Sequence, residues 1–223
     1  MRSFIIRSSL TPNNAIIKAN RRGIMAKLYF RYGAMGCGKT MQLLQVAFNY
    51  EERGHTVLVM KPKTDTKNGE KLLTRIGPER EVDFCFVRED DLFELVSSKH
   101  MKPKKISCVL VDEAQFLTPE QADDLMKVVT ELDIPVIAYG LRLNFRLTDS
   151  GFEGATRLLQ IAHDIDEIKT ICECGRKATC NARFFNGKFM ADGPDILIDD
   201  GKTEVEYRAI CPKCFADYKA GRK

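Results

Sequence analysis

Apolar positions along this chain fall into short runs separated by longer stretches of helical periodicity. The runs at 26–32, 55–60, 82–87, 106–112 and 134–139 read as strands. Helical patterns lie between them, near 39–52, 89–99 and 118–131. This alternation predicts an α/β fold with a mostly parallel sheet covered by helices on both faces. Ile106 to Val111 is almost continuously apolar, as a central parallel strand should be. Thr118-Pro119-Glu120-Gln121 is a helix start, with Thr118 as N-cap, Pro119 at the first helical position and Gln121 closing a capping box. Beyond Tyr139 the pattern changes. Residues 140–152 are loop-like, 153–163 form another amphipathic helix, and from Thr170 onward Cys, Gly, Asn and Asp punctuate the chain. A boundary near 169 therefore divides residues 25–169 from a small second unit, 170–223.

Gly33-Ala34-Met35-Gly36-Cys37-Gly38-Lys39-Thr40 completes the phosphate-loop pattern G-x-x-x-x-G-K-[ST]. A strand-like run leads into it and a helix-forming run leaves it, which is the context the motif needs. The glycines allow backbone N–H groups to turn around phosphate oxygens. Lys39 can reach the β- and γ-phosphates, and the Thr40 hydroxyl can ligate Mg²⁺. The predicted class is a phosphate-loop NTPase core. A second element, Val109-Leu110-Val111-Asp112-Glu113, is an apolar strand ending in two acids. Asp112 is placed to hold Mg²⁺, and Glu113 suits a base. In a hydrolase Glu113 would activate water, and in a kinase it would accept the proton of a substrate hydroxyl. Asp112-Glu113-Ala114-Gln115 also matches a helicase box, but such motors need two cores and 223 residues hold one. A single-core ATPase or a nucleic-acid motor fragment is the alternative reading.

Charge narrows the partners. The chain carries a net +4, yet residues 1–24 alone contribute +5 (Arg2, Arg7, Lys18, Arg21, Arg22, no acid), leaving −1 for the rest. The folded part thus has no bulk attraction for nucleic acid. No apolar run reaches the roughly 18 residues of a membrane span. Residues 1–24 read as a disordered extension, or as a stretch upstream of a true start at Met25. Their Arg-bearing, acid-free composition also fits an organellar transit peptide, and a cytoplasmic location is the main expectation.

Eight cysteines are unevenly spread. Cys37, Cys85 and Cys108 read as small apolar or loop residues. Cys172-Glu173-Cys174 and Cys211-Pro212-Lys213-Cys214 form two knuckle-like pairs that could enclose a structural Zn²⁺, the C-x-C half being the tighter and weaker, with Cys180 as a possible substitute. Free thiols or a disulfide are the plainer readings. A nucleic-acid-binding ribbon is a further option, thinly supported by Phe184, Phe185 and Phe189 with Arg183, Lys188 and Lys202 nearby.

Taken in order, G-x-M-x-x-G-K-T, V-D-E-A-Q-F, Y-G-L-R-x-x-F-R, K-T-I-C-x-C-G-R-K-A-T and a terminal C-x-x-C resemble the type II, zinc-containing thymidine kinases over about residues 26–218. The resemblance implies a RecA-like core with a C-terminal zinc-ribbon and lasso unit. It implies transfer of the ATP γ-phosphate to thymidine, with deoxyuridine a possible substrate, and a homotetramer. It implies that Gly33 to Thr40 hold the phosphates, that Thr40 and Asp112 serve Mg²⁺, and that Glu113 is the general base. Met35, Phe116, Leu141, Phe145, Phe152 and Asn181 would surround the thymine, and Tyr207 would sit on a substrate-covering loop. Cys172, Cys174, Cys211 and Cys214 would hold zinc. Four departures stand out: Lys67 where arginine is usual, a longer Phe145-to-Phe152 spacing, the insert Asp199 to Glu206, and the C-x-C pair.

Overall fold

The structure, a computed structural model, describes residues 25–64, 69–101, 105–147, 151–193 and 205–223. The extension 1–24, Lys67 and most of the 199–206 insert lie outside the described residues. Six parallel strands form the central sheet, in the order β5-β2-β6-β7-β1-β8. They are β1 (Leu28–Tyr32), β2 (Thr56–Pro62), β5 (Phe84–Phe86), β6 (Ile106–Val111), β7 (Val136–Gly140) and β8 (Asp164–Glu167). Helices α1 (Lys39–Glu51), α2 (Leu92–His100), α3 (Pro119–Leu132) and α4 (Glu153–Ile161) follow the predicted patterns. Element ends differ from the sequence expectation by a few residues, mostly one or two.

The two-faced burial of the strands explains their unbroken apolar character. In β6, Val109 and Val111 join Met60, Phe86, Leu125 and Ala155 in the core under α2, α3 and α4. Cys108 and Leu110 point the other way, into a second core with Leu43, Leu44 and Ala47 of α1. Neighbouring β7 divides likewise, Val136 and Ala138 against Ile137 and Tyr139. The period of two is present but invisible as polarity, because both faces are covered.

The α3 cap forms as its residues dictate. The Thr118 hydroxyl accepts from Gln121 N–H at 3.1 Å, and Gln121 Oε1 accepts from Thr118 N–H at 3.2 Å. Helix α4 docks directly on the segment before this cap. A β-carbon on Gly154 would lie 2.4 Å from the Leu117 carbonyl oxygen and 2.9 Å from Leu117 Cβ. Gly154→Ala is therefore expected to destabilise the fold by about 1–3 kcal/mol, the usual cost of overpacking. Denaturant unfolding checks this, and an unchanged midpoint would mean that α4 is free to shift.

Two features were not expected. Between β2 and β5 the chain makes a hairpin, β3 (Lys71–Leu73) with β4 (Glu79–Glu81). The sixth parallel strand, β8, has the sequence Asp-Ile-Asp-Glu and lies at the sheet edge beside β1.

Beyond β8 comes a short ribbon, β9 (Thr170–Ile171) with β10 (Lys177–Ala178). A three-stranded antiparallel sheet follows, ordered β12-β11-β13, from β11 (Cys180–Phe185), β12 (Lys188–Met190) and β13 (Val205–Ile210). Helix α5 (Pro212–Lys219) packs on it. Phe184, Phe189, Phe215 and Tyr218 make a local aromatic core, with ring centroids 5.2–5.9 Å apart. Phe184 and Phe189 thus pack against this unit's own rings, which removes most of the aromatic case for a nucleic-acid ribbon. Among the described residues, no helix is long and apolar enough to cross a membrane.

Candidate active site

The carboxyl ends of β1, β7 and β6 meet at one place, and the polar residues cluster there. The loop from Gly33 to Gly38 leaves β1 and delivers Lys39 and Thr40 into the first turn of α1. Its turns require glycine. Gly36 and Gly38 have φ of 71° and 91°, a region that costs a side chain about 1–2 kcal/mol. At Gly33 the limit is space, since a β-carbon would lie 2.5 Å from both Cys37 Sγ and the Ile168 carbonyl oxygen.

Lys39 is only 7% exposed, and its ammonium donates to the carbonyls of Gly33 and Ala34 at 3.2 and 3.0 Å. The Thr40 hydroxyl donates to Asp112 Oδ2 at 2.9 Å. Asp112 is 2% exposed, and its other oxygen accepts the Glu113 N–H at 3.0 Å. Burial, followed by the neighbouring Glu113 carboxylate, raises the Asp112 carboxyl above the usual carboxylate range, while the Thr40 hydrogen bond works the other way. The pair is short of positive charge. An oxygen-only set of this kind, a hydroxyl beside a buried carboxylate, suits Mg²⁺.

Glu113 stands at φ 49°, left-handed and unusual for a glutamate. Gln115, 2% exposed, explains how it is held. Its Nε2 donates to Glu113 Oε2, and its Oε1 accepts the Leu141 N–H at 2.9 Å. The fit is close, because a β-carbon on Gly140 would lie 3.0 Å from Gln115 Oε1. One buried amide therefore ties the acid after β6 to the backbone after β7. In the sequence Gln115 stands out only as one letter of the V-D-E-A-Q-F motif.

The residues assigned to the base pocket fall into two groups. Phe116 and Phe152 meet edge to face at 5.5 Å, despite the long spacing from Phe145. Leu141 and Phe145 are buried beyond β7, and the guanidinium of Arg183 lies 3.7 Å from the Phe145 ring centroid. Arg183 also donates to the Asp192 carbonyl at 2.7 Å, and on β11 it pairs with Tyr207 of β13. Its burial had no sequence signal, since it read as one scattered base among several. Asn181 occupies neither group in a simple way. Its Oδ1 accepts the Met35 N–H at 2.8 Å, and its Nδ2 donates to the Leu143 carbonyl at 3.0 Å. It joins β11 to the phosphate loop.

Cys172, Cys174, Cys211 and Cys214 bring their sulfurs within 4.8 Å of one another. Four sulfurs at about 2.3 Å from a tetrahedral Zn²⁺ would be about 3.8 Å apart, close to this arrangement. The C-x-C half works because Gly175, at φ 81°, folds the turn back: Gly175 N–H reaches Cys172 O at 2.8 Å and Cys172 N–H reaches Arg176 O at 2.7 Å. The Arg176 N–H holds the Cys174 thiol below its usual range. Cations face the cluster, Arg176 3.7 Å from Cys174 Sγ and Lys223 3.4 Å from Cys214 Sγ, as a doubly negative zinc–thiolate centre would require. The four sulfurs form the cluster without Cys180, whose sulfur lies 3.8 Å from the Thr179 hydroxyl.

A parallel sheet with a phosphate loop after one strand and a buried acid two strands away defines a phosphate-loop nucleotide-binding protein. A family model described as Thymidine kinase matches residues 26–215, and the chain belongs to the thymidine kinase family. A thymidine kinase of Francisella tularensis subsp. holarctica (strain LVS) is 44% identical over 193 residues, 85% of this chain and 96% of that one. One of Streptococcus pyogenes serotype M3 (strain ATCC BAA-595 / MGAS315) is 42% identical over 86% of this chain and 97% of its own. A solved structure of unliganded Pif1 from Bacteroides sp overlays with a TM-score of 0.32 and 16% identity, covering 73% of this chain and 42% of that one, too loosely to bear on activity.

Proposed function

We propose that this protein is a thymidine kinase that moves the terminal phosphoryl group of ATP to the 5′-hydroxyl of thymidine. The observation that carries the reading is the meeting of Thr40, Asp112 and Glu113 at one sheet end, in a chain of this family. The loop from Gly33 to Thr40, with Lys39, holds the phosphates. Thr40 and Asp112 would hold Mg²⁺, which would supply charge neutralisation to the transferring phosphoryl group. Glu113 takes the proton from the 5′-hydroxyl as its oxygen bonds to the γ-phosphorus and the bond to the ADP oxygen breaks. Gln115 fixes the Glu113 carboxylate for that transfer. Phe116, Phe152, Leu141 and Phe145 give the base its apolar walls, with Met35, Asn181 and Tyr207 closing the site.

Residues 170–223 act as a separate zinc-stapled unit whose metal is structural. The protein works as a homotetramer and accepts deoxyuridine as well as thymidine. None of the eight cysteines is disulfide-bonded, which fits a reducing compartment such as the cytoplasm.

Labelled ATP incubated with thymidine, deoxycytidine or single-stranded DNA tests the reading. The expected product is thymidine monophosphate, made only in the thymidine tube. ATP hydrolysis stimulated by DNA and indifferent to nucleosides would replace it with the motor-ATPase alternative.

A further inference from the structure

The β3–β4 hairpin carries an arginine that the scheme above does not use. Arg75 lies in the turn between the two strands, and its guanidinium rests on Gly36 of the phosphate loop. A β-carbon on Gly36 would lie 3.3 Å from Arg75 Nη1 and 3.7 Å from Cζ. Gly36 is exposed, so the guanidinium sits at the open side of the loop. The hairpin holding it is anchored. Leu72 is buried in the core under α1, and Lys61, itself buried, donates to the Lys71 carbonyl at 3.2 Å. The turn is closed by Thr74, whose N–H and hydroxyl reach the Pro78 carbonyl at 3.0 and 2.9 Å.

Most other arginines of the described residues are paired, while the Arg142 side chain has only a ring contact, 5.3 Å from the Tyr32 centroid. Arg80 pairs with Glu51 and Asp83, Arg88 with Glu153, Arg157 with Asp123, and Arg208 with Glu206. Among the described residues Arg75 has no hydrogen-bond or ion-pair partner. An exposed arginine without a partner is ordinarily just a solvated charge. Here the guanidinium lies against Gly36 of a loop whose sequence pattern is built to receive phosphate oxygens. Its field also reaches Glu206 on β13, whose carboxylate is held below the usual range chiefly by Arg208 and in smaller part by Arg75. Arg75 therefore stands between the phosphate loop and the start of β13.

We propose that Arg75 is an arginine supplied in cis to the terminal phosphoryl group of the nucleotide bound by the Gly33–Thr40 loop. It rests on the nucleotide-binding reading given above. Its chemistry is charge stabilisation at the transferring phosphoryl group, where the planar fork binds two oxygens at once. It takes no part in proton transfer, and bond-making is unchanged from the scheme above.

The test uses the full chain with Arg75→Ala and Arg75→Lys. Steady-state rates are measured, with calorimetric binding of ADP and of a non-hydrolysable ATP analogue. For Arg75→Ala, kcat is expected to fall by about 100-fold, as for loss of one transition-state donor. The thymidine KM should move by less than about twofold, and only the analogue should lose affinity, by about tenfold. Arg75→Lys keeps the charge without the fork and should recover only a small part of the rate. Free guanidinium at millimolar concentration should rescue Arg75→Ala in a saturable way.

A kcat within about twofold of wild type, with unchanged ATP-analogue and ADP affinities, overturns the assignment. Equal weakening of both nucleotides with a lowered melting temperature also overturns it, since Arg75 would then merely brace the hairpin. If the wild-type protein phosphorylates some other acceptor, the thymidine reading fails, while the difference between ATP analogue and ADP still decides Arg75.

Discussion

Glu113→Gln is expected to lower thymidine phosphorylation by about 10³-fold while ATP binding persists, within the range for loss of a general base. The substitution conserves size and keeps an oxygen that can accept from Gln115 Nε2, so the left-handed turn at residue 113 has no new reason to move. What it removes is the ability to take the hydroxyl proton. The adjacent Asp112 cannot replace it, because its two oxygens are engaged by Thr40 and by the Glu113 N–H. Steady-state kinetics with a parallel ATP-analogue titration would check both halves. Near-normal kcat would eliminate Glu113 as the base, and lost analogue binding would mean that the substitution had damaged the phosphate site instead.

Cys211→Ser should empty the metal centre. Serine is a good helix N-cap, so it can take over from Cys211 Sγ, which now accepts the Cys214 N–H at 3.4 Å at the start of α5. The helix cap is thereby spared, and the change isolates the loss of a thiolate ligand. Wild-type protein is expected to carry one zinc per chain and the variant almost none. Cys172, Cys211 and Cys214 are all buried in the core that also holds Phe184, Ile210 and Phe215. Loss of the metal leaves thiols crowded there without their common partner, so the 170–223 unit should melt separately and earlier. The thymidine KM should rise by about 10- to 100-fold, comparable to other disruptions around protein-bound metals. Elemental analysis and calorimetry measure these outcomes, and wild-type zinc content in Cys211→Ser would remove that residue from the ligand set.

The elements that were legible in the sequence are those whose residues bury an apolar face. β6 declared itself through Ile106 to Val111, and α3 through its capping box and amphipathic run. β8 was missed because nothing apolar drives it. Asp164, Asp166 and Glu167 line an exposed edge, and the strand exists through main-chain pairing with Tyr29 to Tyr32. Acids on an edge also discourage further pairing. The β3–β4 hairpin was missed for a related reason, since Leu72 is the one buried residue of its two three-residue strands. In the site, the phosphate loop and acid pair were readable because their chemistry demands fixed spacing along the chain. The contacts of Gln115 with Leu141, and of Asn181 with Met35, span 26 and 146 residues. No local pattern encodes them, and a buried amide looks in sequence like any surface glutamine or asparagine.

The hydrogen bond from Met35 to Asn181 has a thermodynamic consequence. Asn181 follows Cys180 at the start of β11, and Cys180 shares its core with three of the zinc-cluster cysteines, yet the Asn181 side chain fixes an N–H of the loop proposed to hold ATP. If metal binding stiffens that core, the loop is presented to nucleotide at a smaller entropic cost. Linkage then runs equally in both directions: a chelator that strips the metal weakens nucleotide affinity by some factor, and saturating nucleotide tightens the metal by that same factor. The metal centre would then be a silent effector of the nucleotide site, sensed through one asparagine.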